Sequence, residues 1–245
     1  FAVGFDNIDL EAAAARRIIV TNTPGVLTEA TAELTVALIY AVARRIVEAD
    51  RFMRDGRFHG WAPLMFLGKS LTGKVLGLVG LGRIGKAVAR RMPQMNILYH
   101  DLNRDQDLEK AQGYGFRELD DLLRSADVVS IHVPLTDRTT HLIDERRLAL
   151  MKRTAYLVNT SRGPVVDELA LVEALRSGRI MGAALDVYED EPRMAPGLAE
   201  LPNVVVVPHI GSATEEARSA MSELAAKNIA AVLSGMKPLT PVECG

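Results

Sequence analysis

The chain is 245 residues long, 48% apolar and 24% charged, with a formal net charge of −2. That length suits one large or two small domains with a sizeable core, and the near-neutral charge lacks the excess that marks a nucleic-acid binder. No apolar run reaches the roughly 18 residues of a membrane span, and the single cysteine, Cys244, excludes a disulfide framework and predicts a reducing, cytoplasmic compartment.

In chain order, Phe1-Ala2-Val3-Gly4 reads as the end of a strand. It lacks the basic segment and long apolar stretch of a signal peptide, and the opening without Met predicts a natural N-terminus further upstream. Residues 10–17 follow as a helix and 18–20 as a strand, a βαβ fragment. Apolar residues at helical spacing predict one long helix over 28–50. Short apolar runs at 75–79, 97–99, 128–131, 155–158, 181–185 and 204–207 then alternate with helical stretches at 84–91, 118–125, 144–151 and 168–177. This alternation is the signature of a parallel sheet covered by helices. The four valines at 204–207 predict a strand buried on both faces. A last helix is expected over 214–233. No internal repeat and no low-complexity linker interrupts the pattern.

The run after the first of these strands is Gly80-Leu81-Gly82-Arg83-Ile84-Gly85. It follows a strand, opens a helix, and has an acidic residue, Asp101, at the end of the next strand, which is the context a dinucleotide fingerprint requires. Gly80 permits the tight turn, Gly82 lets the backbone approach the pyrophosphate, and Gly85 lets helix and strand pack closely. The helix start, with Arg83 and Ile84, supplies N–H groups and positive dipole for the phosphates. Asp101 would accept from the adenosine ribose hydroxyls and repel a 2′-phosphate, which predicts NAD, with NADH preferred over NADPH. Arg104 lies near enough to soften that preference and otherwise reads as a solvated loop charge.

Sites in open parallel sheets form beyond the carboxyl ends of the strands. Those ends carry His132-Val133-Pro134-Leu135, Asn159-Thr160-Ser161-Arg162-Gly163, Asp186, and Pro208-His209-Ile210-Gly211. An arginine, a histidine and acids therefore converge on one edge. Together with Val3-Gly4-Phe5-Asp6-Asn7-Ile8-Asp9 and Asp186-Val187-Tyr188-Glu189-Asp190-Glu191-Pro192, these motifs span nearly the whole chain. In this order they resemble the D-isomer-specific 2-hydroxyacid dehydrogenase family, most closely its glyoxylate/hydroxypyruvate reductases.

The resemblance implies an α/β fold, a doubly wound Rossmann sheet with a flavodoxin-like substrate domain that is truncated here, since roughly the family's first quarter is absent. Residues 1–22 would be the remnant of that domain, 23–211 the NAD-binding domain, and 212–245 a helix and tail returning to the substrate domain. Hinges are expected near 22–25 and 210–214. The implied catalytic triad is Arg162, Glu191 and His209. Reducing a 2-oxo acid needs a cation for the carboxylate, a proton for the carbonyl oxygen and a hydride for the carbonyl carbon. Arg162 offers a planar fork that cannot deprotonate. His209 is the natural acid–base, and a carboxylate beside it fixes the ring and favours its protonated form. Glu191 is selected over its neighbours Glu189 and Asp190, read as solvated loop acids, by family spacing.

By the same resemblance the backbone of Val3 and Gly4 holds the substrate carboxylate, and His132, Val133, Pro134, Thr139, Asn159, Thr160, Ser161, Asp186, His209 and Gly211 line the cofactor. Thr31 touches the nicotinamide side or is a buried helix residue. Trp61 resembles a residue that reaches a neighbouring subunit's substrate site, or is an interface aromatic. In either case the apolar stretch Phe58, Trp61, Leu64, Met65, Phe66 and Leu67 predicts a homodimer. His59, His100 and His141 lack companions at metal-ligand spacing and read as surface or packing residues, so no metal is expected. The expected activity is reduction of glyoxylate or hydroxypyruvate to the D-2-hydroxy acid. Alternatives are a phosphoglycerate, D-lactate or formate dehydrogenase of the same scaffold, the last disfavoured by Glu191, or a non-catalytic NAD-sensing scaffold like the family's corepressors.

Overall fold

The computed structural model describes residues 1–242. Glu243, Cys244 and Gly245 lie outside the described residues, and so does the reading made from the cysteine. α1 (Leu10–Ala15) starts at Asp9, whose carboxylate accepts from the Ala12 N–H at 2.8 Å. The segment 18–20 does not form a strand. Its pairing consists of an isolated bridge from Thr21 to Pro241 and a bond from the Val242 N–H to the Val20 carbonyl, and Ile18 and Ile19 are exposed.

The long helix expected over 28–50 is two helices, α2 (Thr28–Ala43) and α3 (Ile46–Arg54). Arg45 between them takes the left-handed conformation at φ 55°. The cause is a crossing segment: the Lys69 N–H takes the Ala43 carbonyl at 2.9 Å, and a Cβ on Gly68 would stand 2.9 Å from Arg44 Cα. Helical spacing of apolar residues continues across the break, but the hydrogen bonds do not.

The rest of the chain alternates: β1 (Val75–Val79), α4 (Arg83–Arg91), β2 (Asn96–His100), α5 (Gln106–Gln112), β3 (Gly115–Phe116), α6 (Leu119–Ser125), β4 (Val128–Ile131), α7 (Glu145–Leu148), β5 (Tyr156–Asn159), α8 (Glu168–Arg176), β6 (Gly182–Leu185), β7 (Val204–Val206) and α9 (Glu215–Leu233). The strands form one parallel sheet in the order β3-β2-β1-β4-β5-β6-β7. The chain builds outward from β1, returns, and builds outward from β4, so a topological switch point lies between those two strands.

Alternation along the strands sorts the core into two layers. Val79, Val129, Ile131, Leu157, Ala183 and Leu185 pack with Leu122, Leu148 and Leu171 of α6, α7 and α8 on one face. Leu76, Leu78, Val158, Ala184 and Val205 pack with Ile39 of α2 and Val88 of α4 on the other. Each fully buried side chain of this size contributes about 1.5–3 kcal/mol. The four-valine run departs from expectation: the strand is three residues long, it lies at the sheet edge, and Val206 and Val207 are half-buried.

The chain divides into two compact units, Phe1–Thr31 with Gly211–Gly245, and Ala32–Ile210. The larger holds the whole sheet. In the smaller, α9 carries the buried Asn228, whose Oδ1 accepts from the N–H groups of Leu239 and Thr240 at 2.8 and 3.0 Å and whose Nδ2 donates to Thr240 Oγ1. That hydroxyl donates to the Asn22 carbonyl at 2.6 Å, so the last residues are tied to the first. Val3 lies in the same unit, its carbonyl accepting from Asn22 Nδ2 at 2.9 Å. Gly4 adjoins it, and Thr31 is buried. Among the described residues no helix is long and apolar enough to cross a membrane.

Candidate active site

Register aligns the strand ends. Val79 is level with His100 and Ile131, Ile131 with Asn159, Asn159 with Leu185, and Leu185 with Val206. Gly80, Asp101, His132, Thr160, Asp186 and Val207 therefore open the loops at one edge of the sheet.

At the switch point the glycine loop behaves as its motif requires. Gly80 has φ +98°, and a Cβ there would stand 2.8 Å from the His132 carbonyl carbon. Gly85 is buried where a Cβ would overlap the Gly80 carbonyl oxygen. Gly82 differs: a Cβ there would meet nothing within 4 Å. Gly82 is also the N-cap of α4 and supplies no side-chain hydrogen bond to the first turn, whose residues include the exposed Arg83 and the half-buried Ile84. Open space over unshared helix N–H groups fits a pyrophosphate. Asp101 completes the fit. Its Oδ2 accepts from the Leu81 N–H at 2.7 Å and its Oδ1 from the Asn103 N–H at 3.1 Å, so the carboxylate is fixed beside the loop as an acceptor. Arg104 is exposed, as expected of a loop charge, and is also paired with Glu109 through two 2.8 Å bonds.

Several of the expected cofactor contacts have their polar groups engaged within the protein. His132 Nε2 is 2.9 Å from Ser130 Oγ, and burial pushes the imidazole down to about 4, so it is neutral at physiological pH. Thr139 Oγ1 donates to the Pro134 carbonyl and accepts from the Thr136 N–H, both at 2.7 Å, which shapes the loop holding Val133. Asn159 Oδ1 accepts from Ser161 N and Oγ at 3.0 and 2.9 Å, while its Nδ2 donates to the Arg162 carbonyl at 2.9 Å. This amide is the scaffold of the turn that presents Arg162. Thr160 Oγ1 lies 2.9 Å from Thr35 Oγ1 of α2.

Arg162 is half-buried, and its Nη1 donates to the Ser161 carbonyl at 2.7 Å. Gly163 follows at the start of a short 3₁₀ turn, and a Cβ on it would stand 2.5 Å from the Glu189 nitrogen and overlap the Tyr188 carbonyl. The loop after β5 therefore lies directly against the loop after β6. That second loop carries Glu191. Its Oε1 accepts from the Tyr188 N–H at 3.1 Å, and its Oε2 is 2.9 Å from His209 Nδ1. His209 has φ +52°, a left-handed conformation held by two bonds to Asp186: the His209 N–H donates to the Asp186 carbonyl at 3.0 Å, and the Ile210 N–H donates to Asp186 Oδ1 at 2.6 Å. Tyr188 braces the same turn by donating from its hydroxyl to the Val207 carbonyl at 2.8 Å. Burial pushes the Tyr188 phenol up to about 12, so it keeps the proton it donates. The loops after three adjacent strands thus bring an arginine, a carboxylate and an imidazole to one edge.

Sequence reasoning missed Glu168. This carboxylate is 4% exposed, accepts from Glu189 N at 2.8 Å and from Ala195 N at 2.9 Å, and so clasps both flanks of Glu191. Glu189, read as a solvated acid, returns the contact: its Oε2 accepts from Glu168 N at 3.2 Å and its Oε1 is 2.6 Å from His141 Nε2. No sequence signal set it apart, because acidic residues also open α5, α6, α7 and α9. Trp61 is 82% exposed, in a loop with the exposed Phe58, Leu64 and Leu67. Gly211 is buried and belongs to the smaller unit. Among the described residues no group of three or more His, Cys, Asp or Glu side chains is placed to hold a metal ion.

Residues 36–211 match the model of the D-isomer specific 2-hydroxyacid dehydrogenase NAD binding domain. Glyoxylate reductase of Thermococcus litoralis is 54% identical over 244 residues, covering 97% of this chain and 74% of that protein. A crystal structure of a Thermus thermophilus protein superposes with a TM-score of 0.93 at 51% identity, covering 99% of this chain and 77% of the other. The NADPH-dependent glyoxylate/hydroxypyruvate reductase of Sinorhizobium meliloti, solved with NADP and malonate, gives a TM-score of 0.91 at 39% identity, covering 99% and 76%.

Proposed function

Because the chain belongs to the D-isomer specific 2-hydroxyacid dehydrogenase family, we propose that it reduces glyoxylate or hydroxypyruvate to the 2-hydroxy acid, of D configuration where the product is chiral. The observation that carries this reading is the Glu191–His209 pair at 2.9 Å, with Glu191 on the loop packed against that of Arg162. The unit Ala32–Ile210 is the cofactor-binding domain, and the smaller unit belongs to the substrate domain.

Arg162 pairs with the substrate carboxylate and polarises the carbonyl oxygen, because its planar fork can serve both and never loses its charge. His209 donates the proton to that oxygen. Its Nδ1 is engaged by Glu191, which fixes the ring and leaves Nε2 for the transfer. The His209 side chain is 51% exposed, so it can be reprotonated from water after turnover. A reduced nicotinamide, when bound, would supply the hydride that the carbonyl carbon receives. Gly80 and Gly85 allow the tight turn and close packing that leave Gly82 and the start of α4 open for the pyrophosphate, and the Asp101 carboxylate, an acceptor, favours NADH over NADPH.

The enzyme is read as a cytoplasmic homodimer, with the exposed apolar loop around Trp61 covered by the second copy. The activity is tested by following NADH absorbance with a panel of glyoxylate, hydroxypyruvate, pyruvate and phosphohydroxypyruvate. Turnover on the first two that is lost in His209→Ala supports the proposal. NADH binding without turnover on any of them overturns it in favour of a sensing scaffold.

A further inference from the structure

After β2 the chain runs Asp101-Leu102-Asn103-Arg104-Asp105 into α5. Arg104 is the cation nearest in sequence to Asp101, and its guanidinium is fully engaged on one side. Nε donates to Glu109 Oε1 and Nη2 to Glu109 Oε2, both at 2.8 Å, a fork-to-fork pair. Its Cζ lies 5.3 Å from the centroid of the Phe116 ring on β3.

Glu109 is itself anchored. The hydroxyl of Tyr99, a buried residue of β2, donates to Glu109 Oε1 at 2.7 Å and accepts from the Asp105 N–H at 2.9 Å. The Arg104 guanidinium, then the Tyr99 hydroxyl, holds the Glu109 carboxyl down at about 2, so it is charged at every physiological pH. A second cation of the same corner, Lys86 of α4, is paired with Asp105 Oδ2 at 2.8 Å. As a device for fold stability an exposed arginine–glutamate pair is weak. As a way of competing for a guanidinium it is effective, because Glu109 holds the Nε–Nη2 edge in a two-bond grip and leaves only the Nη1 side to another anion.

We propose that Glu109 is a cofactor-specificity residue: by occupying Arg104 it withholds, from the loop beyond Asp101, the guanidinium that would otherwise pair with a 2′-phosphate. The inference rests on the reading that Asp101 favours NADH and adds a second discrimination to it. Asp101 repels the extra phosphate, while Glu109 denies it a partner. Specificity is a difference between two affinities, and removing an attraction for the wrong ligand widens it as surely as adding one for the right ligand.

The test is direct binding, read from the fluorescence of reduced nicotinamide, with NADH and NADPH titrated against the wild type, E109Q, E109A, R104A, E109A/R104A and D101A. E109Q retains the acceptor for Tyr99 and guards against a folding defect in E109A. The expected result is that E109Q and E109A each lower the Kd for NADPH relative to NADH by about tenfold, the value of one charge-assisted hydrogen bond. The gain should vanish in E109A/R104A, and R104A alone should leave the ratio of the wild type. An unchanged ratio in both Glu109 variants, a gain that survives loss of Arg104, or a weaker NADPH affinity in R104A alone overturns the proposal. D101A reports separately: an unchanged ratio there sinks the Asp101 reading, whatever the Glu109 variants do.

Discussion

Gly163→Ala tests whether the loops of Arg162 and Glu191 act as one unit. Gly163 is buried immediately after Arg162, and an added Cβ would stand 2.5 Å from the Glu189 nitrogen, whereas ordinary contact begins at 3.4 Å. The Tyr188 carbonyl is overlapped more deeply still, and both partners are backbone, so no flexible side chain can yield and the loops must separate by at least about 1 Å at a cost of about 1–3 kcal/mol. Arg162 moves with one loop. Glu191, fastened to Tyr188 N, moves with the other. A displacement of about 1 Å between catalytic groups can cost about a hundredfold in rate. The expected outcome is a fall of about that size in kcat/KM for glyoxylate, with a drop in Tm of about 2–4 °C per kcal/mol. NADH binding should persist, because the glycine loop after β1 is untouched. Steady-state rates at 340 nm, a melting curve and a fluorescence titration measure the three. A variant that melts early yet keeps the rate of the wild type would refute the coupling.

Three other perturbations follow from the same contacts. His132 is held neutral with a folded value of about 4 against an ordinary 6.5, so the unfolded chain takes up its proton first as pH falls. The wild type should therefore lose as much as about 3 kcal/mol between pH 6.5 and 4 on this account, and His132→Gln should flatten that slope in urea midpoints at pH 7 and 4.5; parallel slopes would contradict it. Glu168→Gln turns an amide donor toward the N–H group of either Glu189 or Ala195, which should cost about 1–3 kcal/mol and lower kcat while leaving the NADH Kd in place; a melting change without a kcat change would show that the clasp does not reach Glu191. Trp61→Glu with Leu64→Glu should convert a dimer to a monomer in sedimentation velocity, and a wild type that already sediments as a monomer would remove that surface from consideration.

The core strands were readable because a parallel sheet buries both faces, leaving runs such as 75–79 and 128–131 almost wholly apolar. α5 was not, since none of its seven residues is buried and it carries no apolar stripe. β3, two residues long, is below the length at which periodicity can register. The break at Arg45 is imposed by a segment more than twenty residues away in sequence, and no Gly or Pro announces it locally. In the candidate site, Arg162 and His209 were legible from their places after strands, and Glu191 only from the spacing of the family the chain resembles. The internal partners of Asn159, Thr139 and Glu189 were not, because a polar side chain in a loop motif looks the same whether it faces a ligand or a neighbouring N–H.

The tie between Asn22, Asn228 and Thr240 has a consequence for biogenesis. The sheet unit is contiguous, from Ala32 to Ile210, and can fold while synthesis continues, but the smaller unit joins a stretch made before the sheet to one made after it. At ordinary elongation speeds the opening segment waits about 10–40 s for its closing partner. Throughout that interval Val20 and Thr21 lack the backbone pairing they make with Val242 and Pro241.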